Sequence, residues 1–311
     1  MKKLFGLSAV AGMILLGAGP LFAYKIEFSH HGLVNPSTMN TCTGLDDTSP
    51  FDAEFRRTGR GKGTTDIWLT DMNGSYAGCY VYNWTMEEND ANGDGVIDPN
   101  SEATWTYNGG FKTPIREIRA LNIISRDEFV VLHENGTVAT YSRDPEVLGI
   151  DPDIPESQVM PDTSQDNFNI GVPHHSAWDA ENQLMWVNQG GAGVMRAFDF
   201  DRNSETFGQK VKEIRTPINY VEGAAFRRDN CTRQNFLYLY NGPGGTHQGK
   251  IWIYNLDETS SEGDGTFVER NPYESGDLPP FHSECLAWDG AHFWMCGYTD
   301  GKVYRMTETL D

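Results

Sequence analysis

Hydrophobic and polar positions alternate along this chain in short runs that stop at turn pairs. The last stretch shows it most clearly. Glu284–Asp289 alternates up to Asp289-Gly290, His292–Gly297 is rich in aromatics, and Gly301–Thr307 follows Asp300-Gly301. Period-two alternation bounded by Asp-Gly pairs predicts strands joined by tight hairpins, so this stretch is an antiparallel meander. A lone meander cannot bury both faces and needs neighbours of its own kind.

Degenerate copies supply them. His174–Asp179 leads into Leu184–Asn188 and Val194–Asp199, and Glu222–Arg227 leads into Phe236–Asn241 and Lys250–Asn255. Ala120–Ile124 leads into Phe129–Leu132, the pair Asn135-Gly136, and Thr137–Tyr141. Asp52–Phe55 leads into Asp66–Thr70, Asn73-Gly74 and Tyr80–Trp84. Fourth strands are expected at Ala103–Tyr107, Val211–Arg215 and Thr266–Arg270, with a weak one near Gln158-Val159-Met160. The last copy has no such strand after it, and the strand-like Tyr24–Phe28 is the segment left to supply it. Four-stranded copies around one axis predict an all-β fold, a five-bladed β-propeller closed by its N-terminal strand, with six blades as the other count. A β-sandwich explains the alternation but neither the recurrence nor the leftover strand.

The first 23 residues read as a secretory signal peptide. Lys2 and Lys3 precede an apolar run to Leu16, and a small-residue stretch ends at Ala23. The expected mature chain is one propeller domain over 24–311, exported by a bacterium to the periplasm or beyond, with the loop around 87–102 as an insertion. The apolar run is short for a membrane span, so the protein is not expected to be membrane-embedded. A formal charge of −20 argues against nucleic acid, which needs a positive face. It suits a monomer that is soluble outside the cell, or one that binds cations. Five cysteines in an exported chain are disulfide candidates. Counting back from the Asp289–His292 turn sets Cys285 opposite Cys296, a position where antiparallel neighbours can be bridged. Cys42 and Cys79 form the next pair, leaving Cys231.

Asp90-Ala-Asn-Gly-Asp-Gly-Val-Ile-Asp98 carries oxygen donors at loop positions one, three, five and nine, with Gly95 at six. Asp90, Asn92, Asp94 and Asp98, with the Val96 carbonyl, are the expected calcium ligands. The motif resembles the loops of EF-hand and dockerin-like proteins over nine residues. It departs from them at position twelve, where Ser101 stands, and at Pro99, which denies it a helical exit.

Residues that open the innermost strands of a propeller form a ring at one channel mouth. Four residues before the anchoring aromatics stand His174, Glu222 and Glu284, with His175 and His282 on the same rim. Asp52 and Glu54 are close in the first copy, and Ala120, Arg119 or Glu117 occupies the place in the second. Unpaired carboxylates in such a ring repel each other unless a cation or an arginine joins them. The ring is therefore a candidate site for a second metal ion, at His174, Glu222 and Glu284. Glu284-Cys-Leu-Ala-Trp-Asp-Gly and Glu222-Gly-Ala-Ala-Phe resemble inner strands of the gluconolactonase-like (senescence-marker-protein-like) propellers, and also those of glutamine cyclotransferase-like ones. The first resemblance implies a metal held by a strand-opening Glu and by Asn side chains, here Asn188 and Asn241. It also implies six blades, where this chain shows five copies.

No Gly-x-Ser-x-Gly elbow and no phosphate-binding glycine loop occurs. The expected function is a secreted metal-binding propeller that binds a small molecule or protein partner. The alternative is a metal-dependent lactonase, esterase or cyclase.

Overall fold

The computed structural model describes residues 24–27, 50–58, 63–71, 80–91, 93, 102–115, 117–153, 157–165, 168, 170–189, 193–216, 218, 220–242, 250–257, 283–296 and 303–310. The signal segment, most of the calcium loop, His282, Cys42, Cys79 and the strand expected at Thr266–Arg270 lie outside them. With strands numbered in chain order, β2 (Pro50–Thr58), β3 (Thr64–Asp71), β4 (Tyr80–Glu88) and β5 (Ala103–Lys112) form the first sheet. The second holds β6 (Ile118–Ile123), β7 (Glu128–His133), β8 (Val138–Ser142) and β10 (Thr163–Gln165). The third holds β11 (Pro173–Asp179), β12 (Leu184–Gln189), β13 (Val194–Asp199) and β14 (Lys210–Arg215). The fourth holds β15 (Val221–Arg228), β16 (Asn235–Asn241) and β17 (Lys250–Asn255). The fifth holds β18 (Ala287–Trp288), β19 (Phe293–Cys296), β20 (Val303–Leu310) and, from the other end of the chain, β1 (Tyr24–Glu27).

Local sequence accounts for these hairpins. At Asp289-Gly290 the carboxylate accepts from the amides of Ala291 and His292, at 2.7 Å each, and Gly290 takes φ 104°. That turn sets Ala287 opposite Trp294 and Trp288 opposite Phe293, the register expected from the sequence. At Asn135-Gly136 the Asn oxygen caps Thr137 N at 2.9 Å and Gly136 takes φ 85°. One strand differs from expectation. β9 (Ser157–Gln158), at the weak fourth-strand position, lies parallel beside β5 in the first sheet, and the second sheet is completed by β10 instead.

Four of the five apolar clusters among the described residues lie between sheets that follow one another in the chain. Trp68, Val81 and Phe111 pack on Phe129 and Tyr141; Val130 and Leu132 pack with Met185 and Val187. Trp186 and Ala197 share a cluster with Leu239 and Trp252, and Tyr238 and Ile251 share one with Phe293 and Met295. The remaining cluster joins the last sheet to the first, where Trp294 stacks on Phe55 with ring centroids 4.5 Å apart. The first strands adjoin in the same cycle: β2, β6, β11, β15, β18 and again β2. Among the described residues no sheet closes on itself; the fold is all-β and propeller-like. No helix among the described residues is long and apolar enough to cross a membrane.

The register of the first strands shifts at one place in four of the five sheets. The shifts fall between Pro50 and Asp52, Ile118 and Ala120, Pro173 and Ser176, and Val221 and Gly223. A bulge places an extra residue opposite its partner strand and re-aims a side chain. The bulge in β11 lies at the candidate site.

Candidate metal centre

The bulge in β11 puts two successive histidines at the start of the strand. Donor atoms of His174, His175 and Glu284 all lie within 4.8 Å of one another. His175 is fully buried and its Nε2 sits 3.3 Å from Glu284 Oε2, with only 7% of Glu284 exposed. His174 Nδ1 lies 3.2 Å from the Val221 carbonyl oxygen. A carbonyl can only accept, so Nδ1 carries the proton and Nε2 is left as the lone-pair atom. Metal-ligating histidines are commonly held this way, with the second ring nitrogen donating to backbone. Burial, then the neighbouring His175, lowers the His174 pKa to about 3, so this imidazole is neutral at physiological pH.

Of the three ring residues expected to converge, His174 and Glu284 do, while Glu222 is not in that cluster. Glu222 is the extra residue of the β15 bulge, and its carboxylate lies where a Cβ on Gly242 would overlap it. Burial and then the charges of Glu222 and Glu284 raise the Tyr240 pKa, so Tyr240 stays a neutral phenol beside the site. In the second sheet the bulge residue is Arg119; Ala120 is buried in the apolar cluster. Arg119 pairs with Glu134 at 3.0 Å.

Asp52 joins the site from the first sheet. Its Oδ2 accepts from Leu121 N at 2.7 Å. Burial raises its pKa to about 7; His175 opposes that shift and Glu284 adds to it. A carboxyl whose folded pKa exceeds its unfolded value favours the folded state when protonated. The penalty is absent below about pH 4, grows as pH rises towards 7 and is constant above that. In metal-free protein, Asp52→Asn is therefore expected to flatten stability between pH 4 and 7. Above pH 7 it should raise stability by at most about 4 kcal/mol. Urea unfolding across that range checks this, and an unchanged pH slope in the variant would contradict it.

The remaining expected residues separate. Asn188 is buried and donates from Nδ2 to the Val194 carbonyl at 3.1 Å. Asn241 is fully buried, and neither side-chain polar atom has a hydrogen-bond partner among the described residues. Asn122, which the sequence did not mark, is buried and donates to the Ser176 hydroxyl across to the next sheet. Of the calcium loop, Asp90 accepts from Gly93 N at 2.7 Å, while Asn92, Asp94, Val96 and Asp98 lie outside the described residues. Cys285 and Cys296 are buried thiols with Sγ atoms 3.0 Å apart.

No protein-family model matches the chain, and no curated protein matches it. Neither the gluconolactonase-like nor the EF-hand resemblance therefore finds a counterpart. Among solved structures, the chain is similar to the β-propeller domain of Cps50 (Swd1) from Myceliophteria thermophila, at 10% identity and a TM-score of 0.39. That match covers 84% of this chain and 83% of the other. It is also similar to a chain of a humanized mutant of the Chaetomium thermophilum Polycomb Repressive Complex 2 bound to an inhibitor. There the identity is 6% and the TM-score 0.41, over 84% of this chain and 94% of that one. Scores of this size leave the architecture to the sheets themselves.

Proposed function

We propose that this protein is an exported five-bladed β-propeller, closed by its N-terminal strand, that captures its ligand or partner through a divalent transition metal. The metal would be held by His174, His175 and Glu284. The observation that carries this reading is the convergence of two imidazoles and one carboxylate within 4.8 Å. That donor set suits zinc-like ions better than calcium, which prefers six to eight oxygens. Three protein donors leave one tetrahedral position for a ligand atom. The chain's own residues prepare the site: the Val221 carbonyl orients His174, and burial keeps that ring neutral.

Cleavage after Ala23 would make Tyr24 the mature N-terminus, the first residue of the strand that pairs with β20. In an oxidising compartment Cys285 and Cys296 would join as a disulfide. The Asp90–Asp98 loop would hold calcium, apart from the channel ion.

Zinc titration tests the channel site. His174→Ala and Glu284→Gln should each weaken zinc binding by about 100-fold or more. The Asp90→Ala/Asp94→Ala double variant should leave zinc affinity unchanged and lose one calcium equivalent. Wild-type zinc affinity in both channel variants would refute the assignment.

One observation favours a second reading, a metal-dependent hydrolase or cyclase. Asp52 lies beside the donor set with a pKa of about 7, within the working range of a general base. Loss of turnover, with retained metal, in Asp52→Asn would decide for it.

A further inference from the structure

A cavity of about 690 Å³ lies where the first strands end. Residues at the C-terminal ends of the first strands of all five sheets line it. The metal site lies at the opposite ends of these strands, so this is the other mouth of the same axis. Its volume falls in the range of drug-sized ligand sites.

Its chemistry departs from that of the chain as a whole. The protein carries −20, yet Arg56, Arg227 and Arg228 all reach this cavity. Trp178, Phe226 and Trp288 supply flat apolar walls. Arg227 lies over the Trp288 ring at 4.8 Å and donates to the Tyr238 hydroxyl at 3.2 Å, which fixes its guanidinium plane. Arg56 donates to the Ser125 carbonyl at 2.9 Å, and Arg143 donates to the same oxygen at 3.0 Å. Arg143 is also ion-paired with Asp66, whereas Arg56 makes its hydrogen bond to that neutral carbonyl. Arg228 is ion-paired with Glu181, both about one third exposed, and Arg227 lies 3.9 Å from Asp229. The other acids are engaged or neutralised. Asp229 accepts from Cys231 N and Thr232 N in its own turn, Asp289 accepts from the Trp294 indole, and Glu54 is pushed towards its neutral form by burial and then by Asp52.

We propose that this funnel is a second, metal-independent binding site for a small organic anion, an oxyanion group carried on a flat apolar body. The oxyanion would sit on Arg56 and take the place of the exposed Glu181 carboxylate at Arg228, with the ring between the aromatic walls. Arginine is suited to both roles, through its planar fork and through stacking.

The exposed Cys231 thiol lines the same cavity and gives a direct readout. The probe is the fluorescent aromatic sulfonate 8-anilinonaphthalene-1-sulfonate, bound to the full mature protein and competed with benzoate or its neutral amide. One equivalent should bind, be displaced by benzoate but not by benzamide, and slow alkylation of Cys231 as read on its peptide by mass spectrometry. Arg56→Gln/Arg228→Gln should weaken binding about tenfold or more. His174→Ala, which removes a metal donor at the far mouth, should leave it unchanged. Equal displacement by benzamide, or unchanged Cys231 reactivity with probe bound, would overturn the proposal even if the arginine variants fold poorly. Protection of Cys231 by a peptide with a free C-terminal carboxylate, but by none of the small anions, would also overturn it and point to a protein partner.

Discussion

Protein that begins at residue 28 is expected to be insoluble, or to melt about 10 °C or more below protein that begins at residue 24. β1 pairs with β20 from Tyr24 opposite Leu310 to Glu27 opposite Thr307, so the two ends of the chain share one sheet. Without β1, the four residues of β20 that it pairs, Thr307–Leu310, become an unprotected edge, which invites pairing between molecules. The loss also frees the end of the sheet whose Trp294 stacks on Phe55 of the first sheet. Thermal melting and the soluble fraction check this, and an unchanged melting temperature would contradict closure by β1.

The second large effect falls on the same seam. Glu88 at the end of β4 holds Arg305 of β20 at 2.9 Å and Arg57 of β2 at 2.7 Å. Glu88 and Arg305 are 4 to 5% exposed at the side chain, whereas Arg57 is 29% exposed. Removing the carboxylate takes from the buried Arg305 guanidinium its hydrogen-bonded counter-charge and leaves the charge of Asp289 alone to oppose it. Breaking a buried pair in this way costs about 3–5 kcal/mol. Glu88→Ala should therefore lower unfolding stability by that amount. Glu88→Gln with Arg305→Met should recover much of it, since a neutral pair buries no orphan charge. A loss below about 1 kcal/mol in the single variant, typical of a surface pair, would show that the seam does not depend on this clamp.

Most of the strand plan was legible because its punctuation is chemical. Asp289-Gly290 and Asn135-Gly136 supply side-chain acceptors and a residue at ease with positive φ, so those turns and registers follow from sequence. The strand at Ser157–Gln158 was placed in the wrong sheet because two residues carry no alternation to read. The bulges were invisible for a related reason. An extra residue shifts which side chain faces the channel without changing the apolar pattern around it. The sequence could therefore not choose between Ala120 and Arg119. It grouped Glu222 with His174 and Glu284, whereas the structure brings in His175. Asp52 was noticed only as a neighbour; its burial depends on Leu121, 69 residues away in sequence. The arginines of the far mouth gave no signal at all, since Arg227 and Arg228 end a strand where exposed basic residues are common.

X-ray absorption at the zinc edge of zinc-loaded, calcium-saturated mature protein addresses the central claim most directly. The expected spectrum shows scattering from two imidazole rings with nitrogens at about 2.0–2.1 Å, together with a carboxylate oxygen. His174→Ala should remove one imidazole from that shell. A shell of oxygens alone, or an imidazole count that His174→Ala leaves unchanged, would place the metal elsewhere and contradict the account.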